Sequence, residues 1–305
     1  MRIAIISNKL KFITIFTIIA LIVFAIIFSV RSNAATIKEF DGKRAYEDIE
    51  YQVGLGPRTM GSIAHDKATS WIINNLTNQH WLVETQETVI SGVTIKNIIA
   101  KRGEGNSWII IGSHYDSRAI ADRDPILANR TQPVMGANDG ASTVAILLEL
   151  ARILPQKMDK QIWLVFFDDE DNGAAYGSGW SVGSTYFVDQ LKGKPDSVVI
   201  LDMLGDKDLN IYMEGNSNHE LNNQIWDVAK ELGYAQFIAK YKNYLTDDHI
   251  PFLEAGIKAV DIIDIDYPYW HTTHDTLDKV SAESLQVVGN TMVQWLEQYP
   301  VSTNP

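Results

Sequence analysis

The chain has 305 residues, 46% hydrophobic and 21% charged, with 20 glycines and 9 prolines, which excludes collagen-like, low-complexity and wholly disordered chains. Its 26 Lys and Arg against 38 Asp and Glu give a formal charge of -12, the wrong sign for a protein that neutralises nucleic-acid phosphates with a basic face. There are no cysteines, so disulfides and thiolate chemistry are excluded, and any metal must be held by His, Asp or Glu.

At the amino terminus Arg2, Lys9 and Lys11 precede an apolar run over residues 12–30, interrupted only by Thr14, Thr17 and Ser29. A basic flank before an apolar stretch is the layout of an export signal. Residues 1–34 are therefore expected to be a signal peptide or a signal anchor, with Ser32-Asn33-Ala34 before Ala35 resembling a small-residue cleavage site. The body, residues 35–305, is expected to lie outside the cytoplasm, either secreted or held to the membrane through this segment alone.

Residues 41–78 carry apolar side chains at helical spacing. Strand-like runs follow at 93–101 and 108–113, joined by Gly103-Glu104-Gly105-Asn106. Residues 140–154 present an apolar helical face that stops before Pro155. Residues 162–167, 197–204 and 259–265 are continuous apolar runs, as expected of strands covered on both faces. Helical spacing returns at 220–232 and 282–299. This alternation predicts one α/β domain, a mostly parallel mixed sheet with helices on both faces. No Pro/Gly/Ser-rich linker divides it.

Ligands of such sheets bind beyond the carboxyl ends of the strands. Each apolar run is followed there by acids or histidines: His114 and Asp116, Asp168-Asp169-Glu170-Asp171, Asp202, then Asp266 and Trp270-His271, with Asp139 ahead of the 140–154 helix. Singly, each has an ordinary reading. His114 alone would be a satisfied buried histidine, Asp139 a helix cap, 168–171 a solvated loop, and His271 and His274 turn residues. Asp202 is harder to dismiss, since an acid within Val-Val-Ile-Leu-Asp-Met-Leu needs a partner. Gathered on one rim, the carboxylates would repel one another, and a divalent cation resolves the conflict. Two histidines with three carboxylates suit zinc.

The motifs Ser-His-Tyr-Asp-Ser (113–117), Asn-Asp-Gly-Ala-Ser (138–142), Phe-Phe-Asp-Asp-Glu-Asp (166–171), Leu-Asp-Met-Leu-Gly (201–205), Asp-Asp-His-Ile-Pro-Phe (247–252) and Trp-His-Thr (270–272) resemble the zinc aminopeptidase-like superfamily. Within it the chain looks like the glutaminyl-peptide cyclotransferases, or glutaminyl cyclases, of bacterial type. The resemblance runs from Tyr46 to Trp295 in family order and includes Val-Gly-Leu-Gly-Pro-Arg-Thr at 53–59. It implies a three-layer α/β sandwich. It also implies that Asp139, Asp171 and His271 hold a catalytic zinc, with Glu170 as general acid and base. His114 and Asp202 match the ligands with which aminopeptidases hold a second zinc, Asp139 then bridging. Asp116 matches the acid that orients the histidine. Asp247 and Asp261 match the cyclases' hydrogen-bond network, Asp261 standing where animal cyclases have His. Trp270 matches the indole of the substrate pocket, and Tyr176 is a candidate lining residue. Glu170-Asp171 stands where a Glu-Glu pair is usual. A frame one residue earlier, with Asp169 as base and Glu170 as ligand, is the alternative, and Phe166-Phe167-Asp168 argues for the later one.

The activity implied is conversion of an amino-terminal glutamine of a peptide to pyroglutamate with loss of ammonia, on one zinc ion. The alternative is an extracytoplasmic zinc aminopeptidase with two ions. A third reading is a non-catalytic binding ectodomain on the same fold. The motif Asp247-Asp248-His249, with Asp where aminopeptidases commonly have Ser, and Trp270 before the metal histidine favour the cyclase. The expected partners are peptide amino termini, with no nucleic acid, on a monomer.

Overall fold

Every apolar run that reads as a buried strand enters one six-stranded sheet. The structure is a computed structural model and describes residues 37–90, 92–172 and 179–300. The leader at 1–34 and Tyr176 lie outside the described residues. Among the described residues no helix is long and apolar enough to cross a membrane.

The strands are β1 (Leu82–Ile90), β2 (Val93–Arg102), β3 (Ser107–His114), β4 (Lys160–Phe167), β5 (Ser197–Asp202), β6 (Ile211–Met213), β7 (Phe237–Tyr241) and β8 (Ala259–Ile263). The main sheet has the order β1-β2-β4-β3-β5-β8, and β6 and β7 pair separately. β4, β3, β5 and β8 are parallel neighbours, whereas β2 runs antiparallel to both β1 and β4. The segment Gly103 to Asn106 thus does not close a hairpin between adjacent strands, because β4 lies between β2 and β3. Strand β1 has no legible period: it is an edge strand, and its side chains are half-buried or exposed in turn.

The helices are α1 (Gly42–Gly54), α2 (Ile63–Asn78), α3 (Ala141–Ile153), α4 (Val182–Gln190), α5 (His219–Glu231), α6 (Ile250–Glu254) and α7 (Ala282–Gln298). Alternation of side chains decides what each sheet face meets. Ile109 and Ile111 of β3 join Val199 and Leu201 of β5 and Val260 and Ile262 of β8 in a core shared with α1, α2, α3, α5 and α7. Ile110, Val198 and Ile200 point the other way, onto Phe187 of α4 and Phe252 of α6. Ile109, Ile110 and Ile111 are all fully buried, and burial of each such side chain is worth about 1.5–3 kcal/mol. The sheet is therefore a rigid central layer, and the parallel strands deliver their carboxyl ends to one edge.

The helical stretch at 41–78 is two helices, not one. Gly56, at φ 97, and Pro57 break it. The break sends Arg58 into the interior, where its guanidinium donates to the carbonyls of Tyr115, Met135 and Gly136 at 3.3, 2.9 and 2.7 Å. A fully buried arginine thus ties the end of β3 to the loop that leads into α3.

Just past β8, the Asp264 carboxylate accepts the backbone N–H groups of Asn210 at 2.8 Å and Asp266 at 3.2 Å. Burial first, and then the charge of Asp206, push Asp264 up to about 7 against the amide hydrogen bond from Asn210. An unfolded aspartate titrates near 3.9, so the fold favours the protonated acid. That contribution is complete below about pH 4 and is lost as pH rises through about 7. Relative to wild type, Asp264→Asn is accordingly expected to gain thermal stability between pH 4 and pH 8, read from paired melting curves.

Candidate active site

His114 closes β3, Asp202 closes β5, and the 168–171 run follows β4, so three parallel strands bring their acids and imidazole to the same edge. Asp139 arrives from the loop before α3, and His271 from the loop after β8. All five proposed metal-binding side chains are buried.

They meet in two groups that share Asp139. His114 Nε2 lies 3.2 Å from Asp139 Oδ1 and 3.1 Å from Asp202 Oδ1. His271 Nε2 lies 3.0 Å from Asp171 Oδ1 and 3.8 Å from Asp139 Oδ2. Asp139 Oδ2 and Asp171 Oδ2 are buried without a hydrogen-bond partner. It is Asp171, not Glu170, that meets His271, which is the later of the two frames.

The electrostatics ask for positive charge. Burial works against a charged imidazole, yet Asp116, Asp139 and Asp202 push His114 well above its ordinary value. At His271 burial is likewise overcome, by the charge of Asp171 and the contact with Asp122, and its pKa stands at about 9. Imidazole and carboxylate donors at these separations, with unpartnered buried oxygens, fit a zinc-type ion. Asp139 does not act as a helix cap: Gly140 occupies that position, and no side-chain cap hydrogen bond forms.

A second layer holds these groups in place. Asp116 Oδ1 lies 3.4 Å from His114 Nδ1, and the same carboxylate accepts the N–H groups of Glu170 and Asp171 and the amide of Asn172. Asp275, fully buried, accepts Asn138 N at 2.8 Å and Asp139 N at 3.1 Å. Tyr267 donates to it at 2.7 Å. Asn138 in turn accepts Gly205 N at 2.6 Å, joining the loop to the exit of β5. His271, Asp169 and Met203, beside the proposed ligands or among them, have φ of 56, 52 and 49°, a left-handed backbone that non-glycine residues adopt at a cost.

Glu170 is buried, and Ser181 Oγ approaches its Oε1 at 3.5 Å. Burial first, and then the charge of Asp247, raise its pKa well above the ordinary value, which makes it a stronger base than a surface glutamate. Asp247, raised to about 6 by burial and by Asp202, forms a third buried group with His249 and Asp261. His249 Nε2 is 3.2 Å from Glu214 Oε2, and its Nδ1 is 3.8 Å from Asp261 Oδ2. Burial also drives Asp248 and Asp261 well up.

Two of the strand-end acids, Asp168 and Asp266, stand apart from the site, as does His274. Asp168 binds His65 at 2.8 Å and Lys96 N at 2.8 Å, pinning α2 to the sheet. Asp266 pairs with Lys242 at 2.6 Å, and His274 is exposed. Conversely, four site residues carried no signal in the sequence reading. Asp122 lies 3.3 Å from His271 Nδ1, Arg118 contacts Asp171, Asp275 braces Asp139, and Trp180 stacks on His271 with a 6.1 Å ring separation. Arg118 directly follows Ser-His-Tyr-Asp-Ser and Asp275 lies three residues beyond Trp-His-Thr, so nearness to those motifs was the one available hint. Trp270 packs 3.9 Å from the same imidazole, so two indoles contact His271.

Fold and site together define an α/β protein of enzyme type with candidate metal-binding groups at the carboxyl edge of a mixed sheet. Residues 97–296 match Peptidase family M28, and the chain belongs to that family. It is 26% identical over 276 residues to a glutaminyl-peptide cyclotransferase of Drosophila melanogaster, covering 77% of this chain and 75% of that one. Aminopeptidase YwaD of Bacillus subtilis (strain 168) is also 26% identical, over 259 residues, but only 49% of its length is covered against 78% of this chain. The crystal structure of Porphyromonas gingivalis glutaminyl cyclase superposes with a TM-score of 0.81 at 30% identity, covering 87% of this chain and 99% of that one.

Asp275→Ala would leave the buried amides of Asn138 and Asp139 unpartnered, at about 1–3 kcal/mol for each. The variant is expected to melt earlier and to retain less zinc per chain, measured by thermal unfolding and by metal analysis after gel filtration.

Proposed function

We propose that this chain is a zinc-dependent glutaminyl-peptide cyclotransferase acting on peptides with amino-terminal glutamine. The observation that carries the reading is the pair of indoles that contact the His271 imidazole, Trp180 at a ring separation of 6.1 Å and Trp270 at 3.9 Å, together with the burial of Glu170. In cyclisation the nucleophile belongs to the substrate, so a wall that excludes water helps the reaction, whereas a hydrolase must admit water. The likeness to two glutaminyl cyclases supports the same reading.

Asp139, Asp171 and His271 would hold the catalytic zinc. When bound, zinc supplies Lewis-acid polarisation of the side-chain amide oxygen. Asp202 receives the substrate α-amine through a charge-assisted hydrogen bond. Glu170 takes a proton from that amine as the nitrogen bonds to the amide carbon, and returns it to the departing nitrogen. The carbon–nitrogen bond of the amide breaks, ammonia leaves, and Glu170 ends ionised as it began. The charge of Asp247, which shares a buried group with Asp261, keeps Glu170 basic. Trp270 and Trp180 line the pocket for the glutamine side chain.

The second group, His114 with Asp202 around the shared Asp139, favours the aminopeptidase reading, in which two zinc ions serve hydrolysis. Incubation with a glutamine-initiated peptide separates the two by mass. Loss of one ammonia is the expected result, and release of the free amino-terminal residue would replace the proposal with the alternative. Glu170→Gln is expected to lower turnover by roughly 10²–10⁴-fold while zinc content is unchanged. Binding of peptides by a zinc-loaded wild type with no turnover would favour the non-catalytic ectodomain.

The basic and apolar layout of residues 1–34 supports export, with the enzyme acting outside the cytoplasm. Fractionation of expressing cells is expected to recover the protein from membrane or medium, and a purely cytosolic pool would refute export.

A further inference from the structure

Arg118 is an arginine with a side chain only 1% exposed. Its guanidinium grips the Asp122 carboxylate with two nitrogens, Nε to Oδ1 at 2.7 Å and Nη2 to Oδ2 at 3.1 Å. The remaining nitrogen, Nη1, donates to Asp171 Oδ1 at 3.0 Å and to the Asp171 carbonyl. Asp122 Oδ1 stands 3.3 Å from His271 Nδ1, and His271 Nε2 stands 3.0 Å from Asp171 Oδ1. The four side chains thus close a ring that contains two of the three proposed zinc ligands. Trp180 covers it, 4.9 Å from the guanidinium carbon and within 10° of parallel to the imidazole. The main chain repeats the connection: Arg123 N donates to His271 O at 3.2 Å, and Asp124 accepts Thr273 N at 3.0 Å.

We propose that Arg118 and Asp122 are positioning residues for the zinc ion, a clamp that aims the His271 imidazole and the Asp171 carboxylate; this rests on the reading of those two as ligands. An imidazole can offer Nε2 to a metal only if its proton sits on Nδ1, and the Asp122 carboxylate stands 3.3 Å from that nitrogen, placed to favour that tautomer. Asp122 could rotate away, being 39% exposed, and the two-point grip of Arg118 prevents it. The same guanidinium occupies Oδ1 of Asp171 and leaves Oδ2 unpartnered. Two carboxylates approached from different directions require a planar fork, which lysine lacks.

The test is titration of the metal-free full-length protein with zinc against a chelating indicator, alongside thermal melts of the metal-free forms. Arg118→Met and Asp122→Ala are each expected to weaken zinc binding roughly 10–100-fold. Arg118→Lys is expected to restore little of it, and the double variant to lose no more than the weaker single one, since both cut the same ring. Should Arg118→Met fail to fold, Asp122→Asn, a near-isosteric change at a partly exposed position, gives the same readout. Zinc affinity equal to wild type in a folded variant would overturn the clamp, as would lowered melting with unchanged affinity. Full rescue by lysine would also overturn it, by reducing the role to charge alone. Tight zinc binding by a wild type that cyclises no peptide would remove the proposed activity and leave the clamp standing, whereas a wild type that binds no zinc would remove both.

Discussion

The structure depends on the concentration of negative charge at one buried edge of a sheet. Asp116, Asp139, Glu170, Asp171, Asp202, Asp247 and Asp261 all lie in the interior, where desolvation alone would cost several kcal/mol for an isolated ion. The chain answers in three ways. His114 and His271 are set among Asp139, Asp171 and Asp202 in the geometry of metal ligands. Asp116, Asp122 and Asp275 are pinned by backbone amides, imidazoles, a tyrosine hydroxyl or Arg118. Asp248 and Asp261 are pushed toward their protonated forms. Removing a cation from such a place would leave like-charged carboxylate oxygens within 4.8 Å of one another, which is why metal and fold are expected to be coupled.

The frame that bears this charge is made of elements with no chemistry of their own. The isoleucine, valine and leucine side chains of β3, β4, β5 and β8 fill both sheet faces, so the strand ends cannot drift. Arg58, sent inward by the break between α1 and α2, ties Tyr115 to Gly136 and thereby the His114 strand to the Asp139 loop. His65 and Asp168 fasten α2 beside the same corner. A shift of a ligand by one ångström would spoil both coordination and proton transfer, so this bracing belongs to function as much as to stability.

Family M28 presents one ligand edge to two chemistries, and the difference between them lies in how the edge is covered. Hydrolysis needs a bound water, and the group of His114, Asp139 and Asp202 would suit the second ion that holds it. Cyclisation needs a dry pocket and a base of raised pKa beside the substrate amine. Trp180 and Trp270 around His271, with Asp247 raising Glu170, weigh toward the second.

Much of this was legible in one dimension. Continuous apolar runs marked β4, β5 and β8, because strands buried on two faces have no polar side to show, and shorter strand-like runs flanking Gly103-Glu104-Gly105-Asn106 marked β2 and β3. Helical periodicity marked α3, α5 and α7, and the rule that strand ends carry ligands collected His114, Asp139, Asp171, Asp202 and His271. Periodicity failed where no side is wholly buried, as in β1, and where elements are too short to have a period, as in β6 and α6. The insertion of β4 between β2 and β3 has no sequence signature, since pairing is a choice among strands of equal hydrophobicity. Arg118, Asp122 and Trp180 were invisible for a related reason: they lie in irregular segments, where only the folded chain decides which side chain faces which imidazole. The order of amino acids thus determined what kinds of groups reach the sheet edge, because burial pattern is a local property. Tertiary structure alone decided which of them meet, because contact between distant residues is set by the packing of the layers in between.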